Sequence, residues 1–226
     1  SLTIVTLWAV TLLFVGFGLI MVLSSSSITS YLSGQGFLGG FTRQALYSIV
    51  GVFGMIVASR MPIAFWKKGA WWFLLLGLAL QLLVFTPLGF AVGGNRNWIQ
   101  IAGSFSLQPS EFLKLALIVW MGAVLHAKEK LLGKSIHVII PVLLPGAITA
   151  LGLVLLGGDL GTAMVMFGIV IGVLFFADVN WKVVTGTVVA AIIAAAIFLV
   201  TSPNRMRRLM GLFGSEEDYS GHDWQP

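Results

Sequence analysis

Residues 2–23 read LTIVTLWAVTLLFVGFGLIMVL, a run of 22 residues without a charged side chain. An α-helix of that length extends about 33 Å, which is enough to cross the roughly 30 Å hydrocarbon core of a bilayer with some tilt. The run is too long for the apolar core of a secretory signal peptide, and no A-x-A cleavage site follows it. It therefore predicts a membrane-spanning helix.

The composition of the 226-residue chain also indicates a membrane protein, since 58% of its residues are hydrophobic and 9% are charged. Ordinary soluble domains have roughly 25% charged residues. The net charge of +5 is too small for a nucleic-acid-binding surface and is typical of the basic loops that orient membrane proteins. The chain has no cysteine, which excludes disulfides and thiolate nucleophiles. No HExxH, GxxxxGK(S/T) or GxSxG motif is present and no GxGxxG follows a predicted strand, which disfavours a nucleotide-driven mechanism.

Charged residues divide the chain into seven apolar segments, which predict an all-α polytopic membrane domain over residues 1–200. The predicted spans are 2–23, 44–59, 70–90, 109–127, 137–157, 160–177 and 182–201, and residues 202–226 are predicted to begin a large extracytoplasmic loop. Loops after even-numbered spans hold Arg60, Lys67, Lys68, Lys128, Lys130, Lys134 and Lys182, whereas Arg43, Arg96 and Lys114 lie on the other side. The positive-inside rule then predicts a cytoplasmic N-terminus and an extracytoplasmic C-terminus.

The fourth span begins Gln108-Pro109-Ser110-Glu111-Phe112-Leu113-Lys114. Proline is preorganised for the first position of a helix, and a glutamate two residues later lies at the positive end of the helix dipole. Glu111 and Lys114 are three residues apart, so they share a helix face and can pair. The pair is either an interfacial cap with a snorkelling lysine or a functional pair for proton transfer or phosphate contact. We favour the second interpretation because ionisable residues inside spans are usually functional.

Two outer turns carry further candidate residues. After Gly93-Gly94, polar and apolar residues alternate as far as Ile101, which we interpret as an outer loop. Its Trp98 belongs either to the interfacial aromatic belt or to a sugar-stacking site in which Arg96 binds phosphate. In the turn before span six, Asp159 either caps the helix or binds a cation or orients a base, and both interpretations remain open.

The segment that follows span seven interleaves Arg205, Arg207 and Arg208 with methionine, leucine and phenylalanine. Such a pattern is typical of an amphipathic segment at a membrane surface. Its predicted extracytoplasmic position departs from the positive-inside pattern. We therefore expect the arginines to bind either an anionic ligand outside or anionic headgroups.

Taken together, the runs 94–99, 108–114, 159–162 and 205–208 resemble the SEDS family, the FtsW- and RodA-type proteins of bacterial division and elongation. The order and spacing of these runs both fit, and Gln108 to Lys114 is the most specific piece. The resemblance is somewhat greater to the division-type members. Family members have ten spans with both termini in the cytoplasm, so seven spans would make this chain the first part of a longer protein.

The resemblance implies an enzyme that polymerises lipid II, the lipid-linked disaccharide-pentapeptide, into glycan strands on the outer face of the bacterial plasma membrane at the septum. It implies a class B penicillin-binding protein and other division proteins as partners, in contact with membrane lipids and without nucleic acid. No cofactor is certain, although a divalent cation is compatible. Glu111 and Lys114 are then the catalytic candidates, and the substrate-binding candidates are Arg96, Trp98, Gln108, Ser110, Asp159, Thr162, Arg205, Arg207 and Arg208.

The sequence departs from the family pattern at two points. The H-x-D-F motif that carries the family's proposed catalytic aspartate is absent, and Asp223 does not match it. Asn97 stands where an arginine is common in the family, which removes one candidate phosphate contact. A lipid II transporter and a non-catalytic scaffold that activates a partner synthase are the alternative functions. Glycines and alanines of spans five to seven could shape an apolar groove for a lipid tail.

Overall fold

The structure is a computed structural model that describes residues 2–32, 39–102, 105–132 and 138–200. These residues form seven helices, three short strands and a 3-10 turn at Glu129–Leu131. The helices are α1 (Leu2–Leu32), α2 (Gly39–Arg60), α3 (Ile63–Leu83), α4 (Pro109–Ala127), α5 (Ile139–Leu156), α6 (Leu160–Phe176) and α7 (Trp181–Val200). The strands are β1 (Gly89–Val92), β2 (Asn95–Ala102) and β3 (Phe105–Leu107).

Six of the described helices are long and apolar enough to cross a membrane by length and composition, and the seventh, α6, is a shorter apolar helix. Many of their large hydrophobic side chains are exposed. Such surface is unfavourable in water but is solvated by lipid tails, and a helix pairs its backbone groups internally. The chain divides into two compact units, Ser1–Pro62 and Ile63–Pro226.

The first unit consists of α1 and α2, which pack against each other. Both are apolar on the faces that they expose, where Phe14 of α1 and Phe53 of α2 are among the exposed side chains. Arg60 is the last residue of α2. A basic side chain at that position interacts favourably with the negative end of the helix dipole.

The second unit is built on α3 and α4, which run antiparallel. Gly77 of α3 lies against Leu113 near the start of α4, whereas Trp71 packs edge-on against Trp120 in its later half, with ring centroids 5.2 Å apart. Trp120 is fully buried, and its ring lies against Gly146 of α5 so closely that a Cβ there would overlap it. Glycine is therefore required at residue 146 for α5 to pack on α4.

Helix α5 is wound as a π-helix over Ile139–Ile148 and as an α-helix over Thr149–Leu156. Its first half contains Pro141 and Pro145, which lack the N–H donors of the usual i to i−4 ladder. The altered winding is the expected response of a helix to that loss. Helix α6 then packs on both α4 and α5, and α7 packs on α6.

The segment interpreted above as an outer loop is instead an antiparallel sheet in the order β1-β2-β3. Gly93 and Gly94 have φ of 58° and 83°, which is the combination that a tight hairpin turn needs between β1 and β2. Val92 pairs with Asn95 across that turn. The alternation of polar and apolar residues is thus the period-two pattern of a strand.

Helix α4 has the same bounds as the fourth predicted span. The third span was predicted at 70–90, whereas α3 covers Ile63–Leu83, so both ends of the helix lie seven residues earlier than predicted. Lys67 and Lys68 lie in the second turn of α3. This position is tolerated in a membrane-spanning helix because the long lysine stem can carry the ammonium toward the membrane interface. Helices α1 and α2 are longer than the predicted spans 2–23 and 44–59. The predicted extracytoplasmic segment 202–226 lies outside the described residues.

Candidate functional site

One end of the second unit gathers most of the residues singled out by the sequence. The end of α3, the three-stranded sheet and the first turns of α4 and α6 meet there. Eight of the predicted site residues lie at this end, namely Arg96, Trp98, Gln108, Ser110, Glu111, Lys114, Asp159 and Thr162. Arg205, Arg207 and Arg208 lie outside the described residues.

Asp159 is the centre of a buried hydrogen-bond cluster at this end, and only 6% of its surface is exposed. Its Oδ1 accepts the backbone N–H of Thr162 at 3.0 Å, which caps α6. Its Oδ2 accepts the Thr162 hydroxyl at 2.6 Å, the Gln108 side-chain amide at 3.3 Å and the Asn97 side-chain amide. We call Asn97, Gln108, Asp159 and Thr162 the Asp159 cluster.

The Asp159 cluster joins β2, the start of α4 and the start of α6 through one carboxylate. Four donors on two oxygens satisfy a buried charge that would otherwise carry a large desolvation penalty. A carboxylate whose acceptor positions are occupied in this way holds elements in place and is poorly disposed to abstract a proton. Of the two interpretations left open by the sequence, the geometry agrees with the helix cap.

Asn97 is a site residue that the sequence reasoning missed. The substitution of a common arginine was read as the loss of a phosphate contact, yet Asn97 is buried and donates to Asp159. Asn97 and Ile99 are both buried, whereas Gln100 is exposed. The alternation along β2 therefore contained the signal that Asn97 faces inward with Ile99.

Arg96 binds protein backbone and does not present a free guanidinium. Its Nε donates to the carbonyl of Val84 at 2.9 Å, and its Nη2 donates to those of Thr86 at 2.9 Å and Gly89 at 3.3 Å. These carbonyls lie in the turn that follows α3 and at the first residue of β1. The guanidinium thus fastens the sheet to the end of α3, while Trp98 is half-buried opposite Phe90.

The structure contains the Glu111–Lys114 ion pair, with 2.9 Å between the Lys114 Nζ and the Glu111 carboxylate. The Lys114 side chain is 19% exposed and the Glu111 side chain 58%. Pro109 occupies the first helical position, and Ser110 is fully buried. The arrangement holds a largely sheltered ammonium beneath a carboxylate that solvent or a ligand can reach, which suits contact with an anionic or proton-donating group.

Metal-binding clusters were sought among the His, Cys, Asp and Glu side chains. Over residues 2–32, 39–102, 105–132 and 138–200, no group of three or more of these is placed to hold an ion.

Gly157 gives a test of how the sheet is held on the helices. The Arg96 N–H donates to the Gly157 carbonyl at 2.8 Å, and a Cβ on Gly157 would lie 2.5 Å from the Arg96 carbonyl oxygen. Alanine fits the local φ of −72°, so only the close approach opposes it. We expect Gly157→Ala to lower the free energy of unfolding by about 2 kcal/mol, measured by denaturant unfolding in detergent.

Gly161→Ala is the matched control, because a Cβ there would meet only Asp159 Oδ1 at an ordinary 3.7 Å. Alanine also favours the helix that begins at Leu160. An equal loss of stability in both variants would contradict the proposed contact between the sheet and the turn before α6.

An apolar multi-helix chain with its polar groups gathered at helix ends defines an integral membrane protein of the polytopic helical class. Comparison with known protein families identifies the family within this class. Residues 4–225 match the family model described as cell cycle protein, FtsW, RodA and SpoVE. The chain belongs to this family, and the predicted fold class, a polytopic helical membrane protein of the SEDS type, is confirmed.

Among curated relatives, the chain is 33% identical over 218 residues to the probable peptidoglycan glycosyltransferase FtsW of Mycobacterium tuberculosis, covering 96% of this chain and 41% of the relative. It is 35% identical over 213 residues to the protein of the same description from Geobacter metallireducens, covering 92% and 56%. The chain therefore spans about half the length of the curated relatives that it matches.

Solved structures with the same fold include the rod shape determining protein RodA of Thermus thermophilus. That match has a TM-score of 0.57 and 23% identity, and it covers 80% of this chain and 58% of RodA. The fold also matches a chain of a peptidoglycan synthase complex that coordinates polymerization and crosslinking, with a TM-score of 0.59 and 22% identity. It covers 89% of this chain and 60% of that one.

Proposed function

We propose that the protein to which this chain belongs is a peptidoglycan glycosyltransferase that polymerises lipid II into glycan strands during septal cell-wall synthesis. The relatives described as probable peptidoglycan glycosyltransferases FtsW support this, because they align with nearly the whole chain. The observation that carries the proposal is the Glu111–Lys114 pair on a proline-initiated helix fixed by the Asp159 cluster.

The chemistry of the substrate explains why such a pair is useful. The donor sugar leaves a lipid pyrophosphate, so a nearby cation stabilises the charge that develops on the leaving group. Lys114 is such a cation, and its position is held by Glu111. The acceptor hydroxyl needs a base, and Glu111 is the carboxylate at this end that remains accessible, whereas Asp159 is occupied by its four donors.

The partner in this proposal is a class B penicillin-binding protein, which crosslinks the strands that the glycosyltransferase makes. The fold match to a chain from a peptidoglycan synthase complex supports such a partnership. Other division proteins and a location at the septum belong to the same proposal. The extracytoplasmic side of the plasma membrane is then the side on which the Asp159 cluster lies.

Lipid II transport is disfavoured by the placement of charges. Every Asp, Glu, Lys and Arg within the described helices lies in the first or last two turns of its helix, and α5 and α6 contain none. A transporter would instead be expected to place polar groups near the middle of the membrane. The charges therefore favour chemistry at one membrane face.

The test is a gel assay of glycan strands formed from purified lipid II. This chain, and a version of the protein that continues past Pro226, are each purified with the partner penicillin-binding protein. Polymer from the longer protein supports the proposal, and its absence with this chain alone would place an essential group beyond Pro226. If neither protein forms polymer while both bind lipid II, the proposal is wrong and a scaffold or transport function replaces it.

A further inference from the structure

An apolar groove runs between α5, α6 and α7 in the second unit. Its volume is about 460 Å³, and Phe167 and Val170 of α6 form part of its lining. On α7 the lining includes Gly186, Ala190 and Ala194, which recur every four residues and therefore lie on one helix face. Helices α5 and α7 both pack on α6, and this groove lies between them.

A single cation lies among the groove-lining residues. Lys182, in the first turn of α7, lines the groove and is exposed, and no carboxylate among the described residues forms an ion pair with it. Asp178, which precedes it in the connecting turn, is likewise not paired with it. Trp181 beside it is 68% exposed, and an exposed tryptophan next to a lysine at a helix end is typical of the headgroup level of a membrane.

The dimensions of the groove fit one lipid chain. From Lys182 to Ala194 the lining of α7 advances about 18 Å at 1.5 Å per residue, close to the roughly 15 Å thickness of one leaflet's hydrocarbon. A methylene group fills about the volume of a water molecule, roughly 30 Å³, so the groove accommodates about fifteen of them.

We propose that this groove binds one acyl chain of an anionic phospholipid whose phosphate pairs with Lys182. Helix α6 separates Lys182 from the Asp159 cluster, and its 17 residues span about 25 Å. The phospholipid headgroup therefore lies at the membrane face opposite the Asp159 cluster, and the lipid is not the glycan donor. By filling the space between α5 and α7, the lipid stabilises the packing of both helices on α6.

The experiment measures binding of two phospholipids with identical acyl chains to the full-length protein in detergent. Phosphatidylglycerol and phosphatidylcholine are titrated separately, and bound lipid is counted by native mass spectrometry. We expect phosphatidylglycerol to bind about five-fold more tightly, which is the contribution of one lysine near an anionic headgroup. The preference is expected to disappear in Lys182→Ala.

Two further variants separate the groove from general surface charge. Lys130→Ala removes an exposed lysine that does not line the groove, so we expect the preference to remain. Ala190→Leu fills the groove at an exposed position and is expected to weaken binding of both phospholipids at least three-fold without lowering the melting temperature of the lipid-free protein.

Three results would overturn the proposal. The first is an unchanged preference for phosphatidylglycerol in Lys182→Ala, and the second is unchanged lipid binding in Ala190→Leu. The third is displacement of bound phosphatidylglycerol by equimolar undecaprenyl phosphate, which would assign the groove to a carrier lipid. None of these readouts depends on glycan synthesis, so they test the groove separately from the proposed enzymatic activity.

Discussion

Asp159→Asn is expected to lower the free energy of unfolding by about 3 kcal/mol. The substitution conserves shape but replaces one acceptor oxygen by an NH₂ group, which then faces the side-chain amides of Asn97 and Gln108. Donors that face donors in a buried site lose their hydrogen bonds and retain the desolvation cost. Denaturant unfolding of the purified protein in detergent measures the change.

Asp178→Asn is the control for this variant. Asp178 is exposed at the other end of the unit and has a φ of 54°, a conformation that asparagine adopts readily. We expect the stability to change by less than about 0.5 kcal/mol. A comparable loss in both variants would show that the effect of Asp159→Asn reflects charge removal in general and not the Asp159 cluster.

The double variant Asn97→Asp with Asp159→Asn tests the pairing directly. Asn97→Asp alone brings two carboxylates together, which we expect to destabilise the protein through like-charge repulsion. In the double variant the carboxylate and the amide exchange places, so their mutual hydrogen bond is restored. The stability lost should be smaller than the sum of the two single losses by at least 0.5 kcal/mol, and simple additivity would argue against the contact.

The helices were predictable from sequence because their signals are local. Pro109 marks the start of α4, and the uncharged apolar run from Leu115 to Leu125 carries it toward Ala127. The start of α3 was misplaced because Lys67 and Lys68 were treated as loop residues, although lysine stems tolerate a helical position near the interface. Strands β1 and β3 were missed because they have only 4 and 3 residues, too few to distinguish a strand from a polar loop. The 8 residues of β2 do show the alternation of a strand, but it was interpreted as part of an outer loop.

The candidate site was predictable only where its contacts are local. The spacing of Glu111 and Lys114, and the cap of Asp159 on Thr162, follow from helix geometry. The bonds from Asn97 and Gln108 to Asp159 cross 62 and 51 residues of sequence. No spacing rule connects such positions, since the tertiary fold alone brings them together, and the same holds for Arg96 and the carbonyls after α3.

Glu111→Gln is expected to abolish glycan polymerisation, with a loss of at least about 100-fold if Glu111 acts as a general base, while membrane insertion remains intact. The change conserves shape but removes the charge that pairs with Lys114. Its effect on folding should be small, because an ion pair with one exposed partner contributes at most about 1 kcal/mol. The gel assay with lipid II measures the activity, and detergent unfolding measures the stability.

Glu129→Gln is the matched control, since Glu129 is also an exposed glutamate, 73% exposed, at the opposite end of the unit. Its only described ionic contact is a 3.7 Å approach to His126. We expect polymerisation to be unchanged in this variant. Full activity in Glu111→Gln, or an equal loss in Glu129→Gln, would remove Glu111 from the catalytic candidates.

The charge exchange of Glu111→Lys with Lys114→Glu separates chemistry from structure. Because the two positions are three residues apart on one helix face, the exchanged side chains can form the pair again in the opposite order. If the pair only holds α4 in place, the double variant should recover most of the activity lost in Glu111→Gln. We expect it to recover stability but no polymerisation, because the sheltered position would then carry a carboxylate, which repels the pyrophosphate that an ammonium there would stabilise.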